Sequence, residues 1–264
     1  MIAMLFACTG NVLLSPAAHA AAACAGDSNA RGLASRPAAE SLVSVTRADG
    51  RVDQFQQFYD DSSMSGLPFV WHRAQDVAGG SYGDWARVSA VPAGPKLYQV
   101  TAAENSIGGL EAFIPSYGRF CHTVLPVPGG RWGPPEDFGL QPAPYHGGIV
   151  LFKERDGRLH AFASSGSPYS SMDVRSQYSS SESHWADVRW LGKVPEADVG
   201  LGAPTSVTQL ADGRLHVVAR EWNRDRYWQT TERDRFLSWE PWRMCADATC
   251  TWGVTQIRAK GAMS

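Results

Sequence analysis

Carboxylates are the first residues to test for chemistry. Glycoside-cleaving enzymes commonly use two acids about 5–9.5 Å apart, one of them with a raised pKa. Asp49, Asp156 and Asp212 each open an Asp-Gly-Arg triplet and are accounted for by a turn. Glu136, Asp137, Glu182, Asp187 and Glu240 are scattered and share no distinguishing context. No Gly-x-Ser-x-Gly elbow and no phosphate-binding loop occurs. A Ser-x-Asp-x-Gly-x-x-Trp box is also missing, and Ser81-Tyr-Gly-Asp-Trp85 matches one only superficially. The sequence therefore yields no catalytic set, and the expectation is a non-enzymatic protein.

Aromatic side chains offer a different chemistry, because a ring face stacks on the apolar C–H face of a sugar without needing charge. The chain holds 10 Trp, 8 Tyr and 10 Phe. Trp85, Trp132, Trp185 and Trp239 recur at one period and are assigned to packing. The ligand-binding candidates are the less regular Trp71, Trp190, Tyr227, Trp228 and Trp242, with His72 and His122 as donors to hydroxyls. His160 and His216 both follow Asp-Gly-Arg-Leu, a shared position that suggests a structural role. Cys245 and Cys250 bracket four residues and are a candidate disulfide. No pairing follows for Cys24 and Cys121. No CxxC or HxxxH spacing is present, so neither a metal nor a cofactor is implied.

These residues sit on a repeat. Val52, Leu110, Leu159 and Leu215 follow equivalent turns, and lie 58, 49 and 56 residues apart. The four periodic tryptophans lie 47, 53 and 54 apart. Two independent landmarks with one period near 50 residues point to propeller blades or an array. In the last complete copy, Thr205–Ala211 and Arg214–Arg220 read as strands about Asp212-Gly213, taken as the centre of a type I′ turn. Arg226–Glu232 and Leu237–Arg243 complete four antiparallel strands. The fold class is all-β, a β-propeller of four complete repeats (about 40–95, 96–148, 149–200 and 201–250) plus a partial fifth at 251–264. An open or truncated ring follows from that count.

Composition sets the remaining bounds. A net charge of −2 without a long basic run argues against nucleic acid as a partner. Residues 1–20 read as an export signal ending at Ala18-His-Ala20, although no cation precedes the apolar run. That run is too short and interrupted for a membrane span. Residues 21–39 read as an Ala/Ser/Gly-rich linker, and the expected location is secreted or periplasmic.

The pattern resembles the PLL-like β-propeller lectins. Asp156-Gly-Arg-Leu-His-Ala-Phe-Ala163, Trp71-His-Arg-Ala-Gln75 and Ser238-Trp-Glu-Pro-Trp242 carry the resemblance, which extends over about residues 40–261. It implies a secreted sugar-binding protein with shallow, multivalent pockets between blades that favour fucose or methylated sugars. Glycans are then the expected partners, and self-association into a homo-oligomer would cover an open end. A structural or protein-interaction propeller and a propeller glycosidase are the alternatives.

Overall fold

A computed structural model describes Cys24, most of residues 34–245, and Cys250. Residues 1–23, 25–33, 39–41, 61–65, 95–98, 117, 142–147, 165–170, 181–183, 197–199, 223, 236–237, 246–249 and 251–264 lie outside the described set. The export signal and the partial fifth repeat fall there.

Every described strand belongs to one of four antiparallel sheets. The first holds β1 (Ala34–Pro37), β2 (Val43–Thr46), β3 (Val52–Asp60), β4 (Pro68–Ala74) and β5 (Ala86–Pro92). The second holds β6 (Thr101–Glu104), β7 (Leu110–Ser116), β8 (Arg119–Leu125) and β9 (Glu136–Asp137). The third holds β10 (Val150–Lys153), β11 (Leu159–Ser164), β12 (Ser171–Ser176) and β13 (Arg189–Lys193). The fourth holds β14 (Leu201–Gln209), β15 (Leu215–Glu221), β16 (Tyr227–Asp234), β17 (Ser238–Trp239) and β18 (Arg243–Met244). The leading strands β2, β6, β10 and β14 touch one another in chain order, as propeller blades do around an axis. Among the described residues the sheets do not close into a ring. Near the end of the span 21–39, β1 pairs with the far half of β3, Ala34 opposite Asp60 and Pro37 opposite Phe58.

The turn joining the first two strands of each blade is built the same way four times. The NH groups of Arg47, Asn105, Glu154 and Leu210 donate to the carbonyls of Arg51, Gly109, Arg158 and Arg214. Gly50, Gly108, Gly157 and Gly213 donate back to the first residue of each turn. Only the glycine takes a positive φ, between 81° and 93°. The expected type I′ turn, which needs positive φ at both central residues, is thus corrected to a type I turn closed by a left-handed glycine. Aspartate avoids that conformation and does something else. In three of the turns (Asp49, Asp156, Asp212) it accepts both the backbone NH and the guanidinium Nε of the arginine two residues on. In the second blade Asn105 takes over by accepting from the NH groups of Ile107 and Gly109.

The hydrophobic cores lie between blades. Along β7, Ala112 and Ile114 face the first blade, while Phe113 faces the third. On β11, Ala161 and Ala163 face the second blade and Phe162 the fourth. The small residues leave room for a tryptophan carried on the same face. Trp132 packs edge-on against Phe55 and His72 of the preceding blade, at 5.8 and 5.4 Å. Trp185 packs likewise against Phe113 and Phe138, at 5.7 and 5.0 Å, and Trp239 against Phe162 at 6.3 Å. Trp85 packs within its own blade against Phe58. Cys245 and Cys250 are disulfide-bonded, and Cys24 is bonded to Cys121 on β8.

Candidate functional site

Two positions six residues apart gather polar side chains at the turn end of the first three blades: Arg47 and Asp53, Asn105 and Glu111, Glu154 and His160. In the fourth the pair is Leu210 and His216, polar at the second position alone. Each second member faces the third strand. His72 donates to Asp53 at 2.6 Å and His122 to Glu111 at 2.7 Å, while His160 and His216 meet Ser176 and Thr231 at 2.8 and 2.9 Å. Asp53 also accepts from Arg47 through Nε and Nη2.

The other two carboxylates fasten neighbouring blades. Glu111, fully buried, accepts from Asn105 (3.1 Å) in its own blade and from Gln177 (2.6 Å) and Trp185 Nε1 (2.8 Å) of the third. Glu154 accepts from His160 (2.7 Å), Arg158 (2.9 Å), and Arg235 and Gln209 of the fourth blade (2.7 and 3.3 Å). Burial opposes ionisation of Glu154, but the hydrogen bonds and charges of His160, Arg235 and Arg158 outweigh it and hold its pKa at about 2. Asp53 is likewise lowered, with burial overcome by His72 and Arg47. Such carboxylates are locked anions and poor proton donors at neutral pH.

A cleft of about 380 Å³ opens at this same end of the third blade, lined by Arg158, Gln177, Tyr178, Ala186, Asp187 and Arg189. Its floor is rigidly held. Gln177 accepts from the Leu159 NH and donates to Glu111, and Arg158 is tied to Glu154 and Asp156. Arg175 stacks over Phe138 and donates to the carbonyls of Phe138, Trp185 and Ala186, fixing the backbone that carries Asp187. Above this floor Tyr178 is 66% exposed and Asp187 is exposed. The half-buried Arg189 has its pKa lowered by burial, with Glu232 and Tyr178 pulling the other way. Among the described residues no group of three His, Cys, Asp or Glu side chains is placed to hold a metal, and no helix is long and apolar enough to cross a membrane.

The ligand candidates named from sequence do not gather at one place. Trp71 is buried in the outer cluster of the first blade with its Nε1 lacking a partner, beside His72. His122 is held on Glu111, and Trp190 stands 61% exposed on β13, one residue from Arg189. Tyr227 is half-buried on β16. Trp228 and Trp242 are buried in the core between the third and fourth blades, their Nε1 groups donating to Glu221 and the Gly192 carbonyl. Of the carboxylates named, Asp187 lines the cleft and Glu182 lies outside the described residues. Tyr178 and Arg189, which also line the cleft, belong to no sequence motif. The available signal was positional: Gln75, Gln177 and Glu232 each accept from the NH that opens the second strand, and only after Gln177 does an aromatic residue follow.

No protein-family model and no curated protein matches the chain. Solved structures do. A Penicillium chrysogenum α-L-arabinanase complexed with arabinobiose aligns with a TM-score of 0.52 at 13% identity, over 87% of this chain and 73% of that one. A Fusarium graminearum α-L-arabinofuranosidase aligns at 0.52 and 14%, over 77% and 66%. The Streptococcus pneumoniae NanB sialidase aligns at 0.50 and 10%, over 83% and 54%. The shared fold is the β-propeller. The chain thus spans about two thirds of the arabinofuranosidase and about half of the sialidase.

The expectation of a non-enzymatic lectin is corrected here. The three propellers named above are glycosidases rather than PLL-like lectins, and a polysaccharide lyase also aligns, with a TM-score of 0.51 at 10% identity. The inter-blade spaces where shallow sugar pockets were expected are filled by Trp132, Trp185 and Trp239. The preference for fucose or methylated sugars implied by the lectin resemblance falls with it.

Proposed function

We propose that the protein is a glycan-acting propeller enzyme of the glycosidase class, with the cleft of the third blade as its site. The observation that carries this is the cleft itself. It brings a solvent-reaching carboxylate, an exposed phenol ring and a half-buried guanidinium onto a rigid floor, in a fold that glycosidases use. Asp187 is the one carboxylate among the described cleft-lining residues, and the other large acids at this end are locked by their donors. Asp187 acts as one member of the acid pair that sugar cleavage uses. It passes a proton to the glycosidic oxygen while water adds to the anomeric carbon and releases the leaving sugar as an alcohol. The second acid is not among the described cleft-lining residues. Tyr178 offers its ring to the apolar face of the sugar. The two disulfides suit an oxidising compartment and support a secreted or periplasmic location.

A panel of chromogenic aryl glycosides and glycan polymers tests the reading. Turnover is expected, with kcat lowered about 100-fold or more in Asp187→Asn and the melting temperature unchanged. Turnover that survives Asp187→Asn undiminished would move the chemistry out of this cleft.

A further inference from the structure

We infer that this cleft takes a sugar bearing a carboxylate, a uronic-acid unit, with Arg189 as its receptor; the inference rests on the cleft being the substrate site. Five arginines near this end are committed elsewhere. Arg47 pairs with Asp53, Arg158 with Glu154 and Asp156, Arg235 with Glu154, and Arg214 with Asp212. Arg175 spends its donors on three carbonyls. Arg189 differs: it lines the cleft half-buried, and among the described residues no carboxylate lies within ion-pair distance of it.

The groups facing it are Tyr178 and Asp187 in the cleft and Glu232 from the fourth blade. The Glu232 carboxylate is already engaged by the Leu215 NH at 2.9 Å. Asp187 sits two residues away and reaches solvent rather than closing on the guanidinium. Glu232 acts on Arg189 without closing an ion pair, so the planar fork of this half-buried guanidinium stays open to a carboxylate in two parallel hydrogen bonds. Tyr178 supplies the surface on which the ring of such a sugar rests. The occupant that satisfies both groups is a pyranose with a planar anionic substituent.

Titration calorimetry of the full chain with galacturonate oligosaccharides, neutral galactose oligosaccharides and sulfated galactose oligosaccharides tests this. The uronides are expected to bind about tenfold or more tightly than the neutral sugars. Arg189→Ala is expected to erase the preference, and Arg189→Lys to retain part of it. Equal affinity for uronide and neutral sugar, a preference that survives in Arg189→Ala, or tighter binding of the sulfated series each overturns the inference. Should Arg189→Ala fail to fold, competition on the unmodified protein decides. Free galacturonate must displace the uronide where free galactose does not, and the reverse refutes the assignment. Uronide binding without cleavage of any glycan would sink the glycosidase reading alone. Turnover of neutral glycosides only, unaffected by Arg189→Ala, would sink the uronate inference alone.

Discussion

Glu154 shows how a side chain that looks catalytic in isolation is committed to structure. Its carboxylate is fully buried yet ionised, because His160, Arg158 and Arg235 converge on it from two blades. A pKa near 2 in the fold against an ordinary 4.5 means the folded state binds its proton more weakly than the unfolded state. The resulting stability, about 3 kcal/mol, is present above pH 4.5 and is lost as pH falls toward 2. Urea midpoints across that range should fall for the unmodified protein. Glu154→Gln should begin less stable by about 2 kcal/mol at pH 7 and show a flatter acid limb. An acid limb unchanged by the substitution would remove Glu154 from this role. The sequence made Asp49, Asp156 and Asp212 legible as turn residues. It could not show that His72 and His122 meet Asp53 and Glu111, because those pairs depend on strand register across 19 and 11 residues.

At the scale of the element, the repeated hairpin couples turn geometry to blade spacing. A Cβ on Gly157 would come within 2.7 Å of the Cβ of Ser106, in the turn of the second blade, whereas one on Gly108 would meet nothing within 4 Å. Both glycines are left-handed, with φ of 93° and 81°. Gly108→Ala should therefore cost only the backbone term, about 1 kcal/mol. Gly157→Ala should cost about 3 kcal/mol, because overpacking at the blade junction adds to it. Equal losses in chemical denaturation would contradict the contact. Strand order and the Asp-Gly-Arg hairpins could be read from composition and period. The turn type could not, since Asp-Gly fits either class until the loop length is known.

For the whole molecule, the blades are held by three inter-blade cores and by polar fasteners that cross between them. The Cys24–Cys121 bond closes a separation of 97 residues and ties the chain near its start to the second blade. Closing so long a loop restricts the unfolded chain by about 4 kcal/mol, so Cys24→Ser should lower stability by that order. Opening the short Cys245–Cys250 loop should matter less, and thermal melts of the two variants compare them directly. The propeller architecture was legible because packing tryptophans and turns repeat. The cleft was not, because it arises where the third blade departs from the pattern, at Tyr178, Asp187 and Arg189.

The proposed function stands or falls on whether that departure performs chemistry. The most direct measurement is the initial rate of chromogen release from neutral and uronic aryl glycosides by the full chain and by Asp187→Asn, with melting temperatures recorded in parallel. The expected result is release by the unmodified protein and its loss in an equally stable Asp187→Asn. No release from any substrate, or release that Asp187→Asn leaves intact, would contradict it.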